Sequence, residues 1–358
     1  MPLPLILGAV AIAATSFGAK KGYDGYQDKS EANTILENSK SKYEASKKQF
    51  DKANEKIEKS LVKLGTLQLN IGSDFKGFRT IAKKLLEKLE QSGSKDLTLE
   101  IPQHQLQKID RLALSTTAYL GQVAGGGVAG VAAAYAVYGG VMALAAASTG
   151  TPIAALSGAA AYNAAMAAIG GGSLAAGGFG MAGGAMVLGG VVAAPIVAIA
   201  GWAFASHAEN ALSDAKSTRR EVRDAILKME KGGRQLAKTR RYVNHLFTET
   251  NYLYIEFSGY FETLKQLDQF RKTGGDIATL EDEVIQTVNN GYQAAAIMTD
   301  IITTPLFKPK RDANNNIVMN KENVVEIETD AEGMQVINYE ALDEALEQVE
   351  WVKNTNKY

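Results

Sequence analysis

Cysteine is absent from the sequence and histidine occurs only three times. Without cysteine there is no disulfide, no thiolate nucleophile and no cysteine-held metal, and the redox compartment is left open. His104, His207 and His245 stand in unrelated contexts, without the paired spacing of a metal site. No glycine-rich loop ends in Lys-Ser or Lys-Thr, so a phosphate-binding loop is excluded.

The largest absence is of charge. Residues 112–208 are 97 consecutive positions without Asp, Glu, Lys or Arg, in a chain that is 22% charged overall. A net charge of −1 therefore hides zones of different character. Residues 1–111 carry 19 basic and 14 acidic groups, whereas residues 273–358 carry 6 basic and 16 acidic, which makes the C-terminal part the anionic piece.

The uncharged zone contains Gly178-Phe179-Gly180-Met181-Ala182-Gly183, a match to the dinucleotide-binding pattern. That fingerprint needs a preceding strand and an acidic residue about 20 positions on to hold a ribose. A run of Ala and Gly lies upstream, and the next acidic residue is Glu209, 26 positions after Gly183. The match follows from glycine density alone. Carboxylate pairs such as Glu55 and Glu58 lie among lysines on a solvated face. Nothing assembles a catalytic constellation, and the expectation is a non-enzyme with no cofactor and no metal.

From Leu36 a heptad runs through Tyr43, Phe50, Ile57, Leu64, Ile71, Phe78 and Leu85, joined later by Leu61, Phe75, Ala82 and Leu89. Gly65, Gly72 and Gly77 are possible kinks. A second arm repeats the design, with Val222, Met229, Leu236, Val243, Phe257 and Leu264 on one row and Ile226, Phe247, Tyr254 and Phe261 on another. Two such arms around one apolar insert most simply pack antiparallel, with a homo-oligomeric coiled coil as the alternative. A third helix is expected over 277–302, stopping before Pro305, with Leu280, Val284, Val288, Tyr292, Ala295 and Ile302 inward. Beyond Pro305, alternating residues around Asn and Gly turn signals predict a small hairpin or two short extended pieces. A closing acidic helix follows over 339–352.

The expected fold class is all-α: a long antiparallel helical bundle with a Gly/Ala-rich apolar hairpin insert, a small C-terminal extended piece and a final helix. Its divisions are 1–25, an apolar N-terminal segment; 26–111, the first amphipathic arm; 112–208, the uncharged membrane-active region; 209–304, the second arm; and 305–358, the acidic appendage. The segment from Leu3 to Phe17 has a signal-like Ala11-Ile12-Ala13 but no basic n-region, and at fifteen residues falls short of the roughly 20 that span a bilayer. A buried or membrane-touching helical start is favoured over a signal peptide.

Gly and Ala fill 52 of the 97 uncharged positions. Three helical stretches can be drawn, over 112–147, 152–169 and 173–206, the last bent at Pro195. Small residues recur four apart at Gly121 and Gly125, Gly126 and Gly130, Ser173 and Gly177, and Gly180 and Gly184. In water each such glycine costs a helix about 1 kcal/mol relative to Ala, whereas in lipid small residues let helices approach closely. The spacing favours a bilayer over a soluble Ala/Gly core. Trp202, Lys216, Arg219, Arg220 and Arg223 at the exit are expected to anchor in anionic headgroups, the alternative being a solvated helix face. Nucleic acid fits worse, because the basic groups are not interleaved with aromatics and no binding motif occurs.

The stretches "MPLPLILGAVAIAA", "STGTPIAALSGAAAYNAAMAAIGGGSLAAGGFGMAGGAMVLGG" and "SHAENALSDAK" together resemble a widespread, largely uncharacterised family of bacterial glycine-zipper proteins, sometimes labelled chemotaxis-related. The resemblance covers about residues 1–272 and implies no activity. A looser likeness of design links the scheme to α-helical pore-forming toxins and apolipoprotein L-like proteins. The expected function is insertion of the Gly/Ala hairpin into an anionic lipid bilayer with homo-oligomerisation into a pore, as a toxin or defence effector. The alternative is a structural or adaptor protein, membrane-tethered or soluble, that docks a protein partner through its acidic C-terminal region.

Overall fold

The computed structural model describes residues 19–93, 99–122, 132–133, 135–137, 211–318, 326–331 and 335–355. The fold is all-α. Its helices are α1 (Ala19–Gln91), α2 (Gln103–Gln122), α3 (Ala211–Lys272), α4 (Glu281–Thr303) and α5 (Tyr339–Thr355), with a 3₁₀ turn at Ile277–Leu280 before α4. The chain divides into two compact units, Met1–Lys47 with Ala193–Leu227, and Lys48–Val192 with Lys228–Tyr358.

The first unit holds the start of α1 and the start of α3. Its described buried residues, Ala32, Ser39 and Tyr43 on α1 and Ala215, Thr218, Val222 and Ala225 on α3, are mostly small and spaced three, four or seven apart. That is the spacing of one sticky edge per helix.

The second unit carries the aromatic core. On α1 the heptad from Phe50 to Leu85 is buried, as are Leu61, Phe75, Ala82 and Leu89. On α3, Met229, Leu236, Val243, Phe257 and Leu264 are buried in the same way. The rings of Phe75 and Phe78 lie 5.2 and 5.1 Å from that of Phe257, Phe78 also meets Phe261 at 6.0 Å, and Tyr292 of α4 closes on Phe78 edge-on at 5.1 Å. The arms therefore bury their seams against each other within one chain.

These contacts also set direction. Asp74 accepts a hydrogen bond from the Tyr254 hydroxyl (2.7 Å), Phe75 meets Phe257 and Phe78 meets Phe261, so residue numbers rise together. Within this unit α1 and α3 run parallel, not antiparallel as expected between the arms. Antiparallel pairing belongs to chain neighbours: Arg79 of α1 holds Asp110 of α2 at 3.0 Å, while Gly72 faces Thr116. Of the second row on α3, Phe261 is buried as expected, but the rest is displaced by one residue, because Ala225, Leu246 and Leu253 are buried where Ile226, Phe247 and Tyr254 are half-buried. Both members of each pair are apolar, so the sequence does not separate them; Tyr254 uses its outer place to reach Asp74.

Gly65, Gly72 and Gly77 interrupt nothing, since α1 continues through all three. They are notches for close approach. A β-carbon on Gly65 would sit 1.8 Å from the Ala132 carbonyl oxygen, and one on Gly72 would sit 2.2 Å from Thr116 Oγ1. The α3–α4 turn uses Gly274 at φ +92, the left-handed position glycine fills at no steric cost. Asp276 then caps the 3₁₀ turn by accepting from Ala278 N–H. The inward residues expected on α4 are buried except Leu280, and Thr304 ends the helix before Pro305.

After Pro305 the chain forms antiparallel bridges, Phe307 to Ile337, Pro309 to Ile327, Arg311 to Ile317 and Thr329 to Gln335. Their hydrogen bonds close into two rings of three. Lys308 N–H donates to Val336 O (2.8 Å), Val336 N–H to Glu328 O (3.0 Å) and Glu328 N–H to Lys308 O (2.8 Å). One step along, Lys310 donates to Glu326 (2.8 Å), Glu326 to Val318 (2.9 Å) and Val318 to Lys310 (2.9 Å). Asn315, at φ 65, makes the tight turn between Arg311 and Ile317, and Asp312 accepts the N–H groups of Asn314 and Asn316. Those backbone donors hold the Asp312 carboxyl below its usual range.

Candidate functional site

The uncharged zone begins inside α2, and the described part of it is seated on α1. Residues 132 and 135–137 are buried, with Ala132 against the Gly65 notch. Tyr135 shares a hydrogen bond of 2.8 Å with Thr116, and its ring lies 5.2 Å from that of Tyr119. Nineteen residues along one straight helix would separate Thr116 from Tyr135 by about 28 Å. The expected single helix over 112–147 is therefore corrected: the chain comes back beside α2.

Of the sequence-predicted packing surface, Gly121 is described, at the end of α2, and a β-carbon there would meet nothing within 4 Å. Gly125, Gly126, Gly130, Ser173, Gly177, Gly180 and Gly184 lie outside the described residues, as do Pro195 and Trp202. The proposed headgroup anchors Lys216, Arg219, Arg220 and Arg223 are all exposed on α3. Among the described residues no helix is long and apolar enough to cross a membrane, and no group of His, Asp and Glu could hold a metal ion.

Two cavities open in the second unit. One, of about 470 Å³, is lined by α2, the end of α4, the extended piece and α5. Three of its charged groups are already engaged: Asp300 accepts from Lys108 (2.9 Å) and from Gln105 (3.3 Å), and Arg311 donates to the Asn315 carbonyl (2.7 Å). The other, of about 590 Å³, is walled by Ile101, Leu253, Tyr260, Ile297, Trp351 and Val352, with Glu100 and Glu256 at its margin. Neither brings a nucleophile together with a base.

The titratable groups perform packing tasks. Burial raises Asp110 despite the opposing charge of Arg79. Burial, then the nearby Asp110 charge, lifts Tyr292 to about 12; burial, then the Asp74 carboxylate it donates to, lifts Tyr254 to about 12. Burial opposes ionisation of Asp268, yet its bonds to Lys272 and Arg271 outweigh this and hold the carboxyl below its usual range. One interaction that sequence reasoning missed is a clasp between α3 and α5. Lys353 donates to the buried Glu249 and sits over the Tyr252 ring at 5.2 Å, while Tyr242 donates to Asp343 and meets Tyr339 edge-on at 4.8 Å. Only the apolar period of α5, with Leu342, Leu346 and Val349 buried, signals that it docks at all.

No family model matches the chain. Neither a curated protein nor a solved structure matches it either.

Proposed function

We propose that this is a non-enzymatic, membrane-active helical protein that inserts its Gly/Ala-rich region into an anionic bilayer and oligomerises there, as a pore-forming toxin or defence effector. The observation that carries the reading is the 97-residue uncharged zone with small residues four apart, bordered by the exposed cations of α3. The charged arms support it from the other side. Their aromatic seam closes between α1, α3 and α4, so the charged arms hold a core of their own. The likeness in sequence to glycine-zipper proteins of bacteria belongs to the same proposal. Dye-loaded anionic liposomes mixed with the full-length protein test it: release is expected, and Gly130→Leu with Gly184→Leu is expected to abolish it. Undiminished release by that variant would remove the zipper from the mechanism, and no release from any vesicle would remove the pore.

The second reading, an adaptor that docks a protein through its acidic C-terminal region, draws on the exposed carboxylates of α5 beside the 590 Å³ groove with Trp351 on its wall. Deleting residues 308–358 would remove α5 with its buried Leu342, Leu346 and Val349 and leave Glu249 and the Tyr242 ring of α3 without their cover. Glu340→Gln with Glu347→Gln is the cleaner test, since both side chains are exposed. A pore-former keeps its dye release in that variant, and an adaptor loses partner capture.

A further inference from the structure

The cavity of about 590 Å³ in the second unit opens where α3, α4, α5 and the chain entering α2 converge. Each helix brings residues three or four apart: Glu256 and Tyr260 from α3, Ala294 and Ile297 from α4, Gln348 and Trp351 from α5. That spacing keeps to one face of each helix. The volume suits a small organic molecule.

The wall is one-sided in charge. Glu100 and Glu256 line it, and among the described residues no Lys, Arg or His does so. Neither carboxylate enters an ion pair among those residues. Neighbouring cations are held elsewhere: Lys353, next to Val352, by Glu249, and Lys108, one turn past Gln105, by Asp300. His104 is exposed and lies outside the wall. Gln105 adds to the imbalance, because its amide nitrogen donates to Asp300 (3.3 Å) while its enclosed amide oxygen has no hydrogen-bond partner among the described residues. The rest of the wall is largely apolar, with Ile101, Leu253, Ile297 and the rings of Tyr260 and Trp351. Burial, then the Glu256 charge, raises the Tyr260 phenol, which keeps it neutral and sets that carboxylate near the ring. Trp351 is 67% exposed, so most of its indole surface faces outward from the core.

We propose that this cavity binds a small organic cation with an apolar body, an ammonium or guanidinium group carried on a hydrocarbon or aromatic frame. The charged group meets Glu100 and Glu256 and the rings of Tyr260 and Trp351, since aromatic faces attract cations. The frame packs on Ile101, Leu253 and Ile297. An anion would meet two carboxylates and no counter-charge, and a neutral molecule would bring neither carboxylate a partner. The inference needs neither insertion into a bilayer nor a protein partner, so it stands apart from both readings above.

The test is isothermal titration calorimetry of the full-length protein with benzyltrimethylammonium, and with phenylacetate and benzyl alcohol as its anionic and neutral counterparts. Saturable binding of the cation is expected, about tenfold or more tighter than that of either counterpart. Glu100→Gln with Glu256→Gln is expected to weaken it about tenfold, and Trp351→Ala about fivefold. Glu340→Gln with Glu347→Gln, exposed on α5 outside the wall and equal in charge change, is expected to leave the affinity near wild type. In a Trp202→Phe background Trp351 is the sole tryptophan, and its emission is expected to change in step with the heat. Weakening confined to the wall variants, with that change in emission, supports the inference. No saturable binding, equal affinity for phenylacetate or benzyl alcohol, equal loss in the two double variants, or a Trp351 emission indifferent to the cation overturns it. Circular dichroism of each variant excludes misfolding as the cause.

Discussion

Gly65 and Gly121 are both helical glycines next to apolar residues, yet a methyl group would meet a carbonyl oxygen at 1.8 Å at the first and open space at the second. Gly65→Ala is expected to push residues 132–137 off α1 and to destabilise by about 1–3 kcal/mol. Gly121→Ala is expected to stabilise by about 0.5–1 kcal/mol, since only the entropy of glycine in a helix is removed. Thermal melts of the two variants should therefore move in opposite directions. Tyr254 and Tyr292 make a second prediction at this scale. Each has its pKa raised from 10.0 to about 12 by the fold, so the fold favours the neutral phenol. That contribution is complete below pH 10 and is lost as pH rises through about 12. A melting temperature flat from neutral pH to pH 10 and falling between pH 10 and 12 is the expected profile, and Tyr292→Phe should flatten part of the fall.

Among the elements, the rows along α1 and α3 were legible because a buried seam imposes its period on every turn: Phe50 through Leu85 and Met229 through Leu264 repeat at seven and are buried. Direction was not legible, because a heptad presents the same stripe whichever way its partner runs. It is fixed by pairs such as Asp74 with Tyr254, which no local pattern announces. The uncharged zone was legible as a region, but not the return of Tyr135 to Thr116, since Gly and Ala give a helix no face to prefer. The α3–α5 clasp joins residues 104 positions apart and is equally silent in sequence. Its test is Lys353→Met, which leaves Glu249 buried without its cation and is expected to cost about 3 kcal/mol in denaturant unfolding. Adding Glu249→Gln should recover most of that loss. Phe257→Ala, at the centre of the aromatic seam, is expected to cost about 3–5 kcal/mol.

For the molecule as a whole, charge is sorted by region: cations along the outside of α3, carboxylates after residue 272, and none across 97 residues between the arms. Such sorting makes the response to salt a whole-molecule property. Vesicle binding is expected to weaken steeply as salt rises toward a Debye length of about 8 Å, while melting of the aromatic seam should move little. Co-sedimentation and calorimetry across one salt series separate the two.

The rings of three hydrogen bonds after Pro305 carry one more consequence. A strand that borders a sheet leaves a row of backbone donors and acceptors ready to pair with another chain, and proteins commonly recruit partners or aggregate through such a border. Here Lys308, Glu328 and Val336 each give to one neighbour and take from the other, as do Lys310, Glu326 and Val318, so at these residues the circuit has no border to offer. Anything that recognises this acidic appendage there must read its side chains, and selectivity for the partner would follow from charge and shape, not from backbone complementarity.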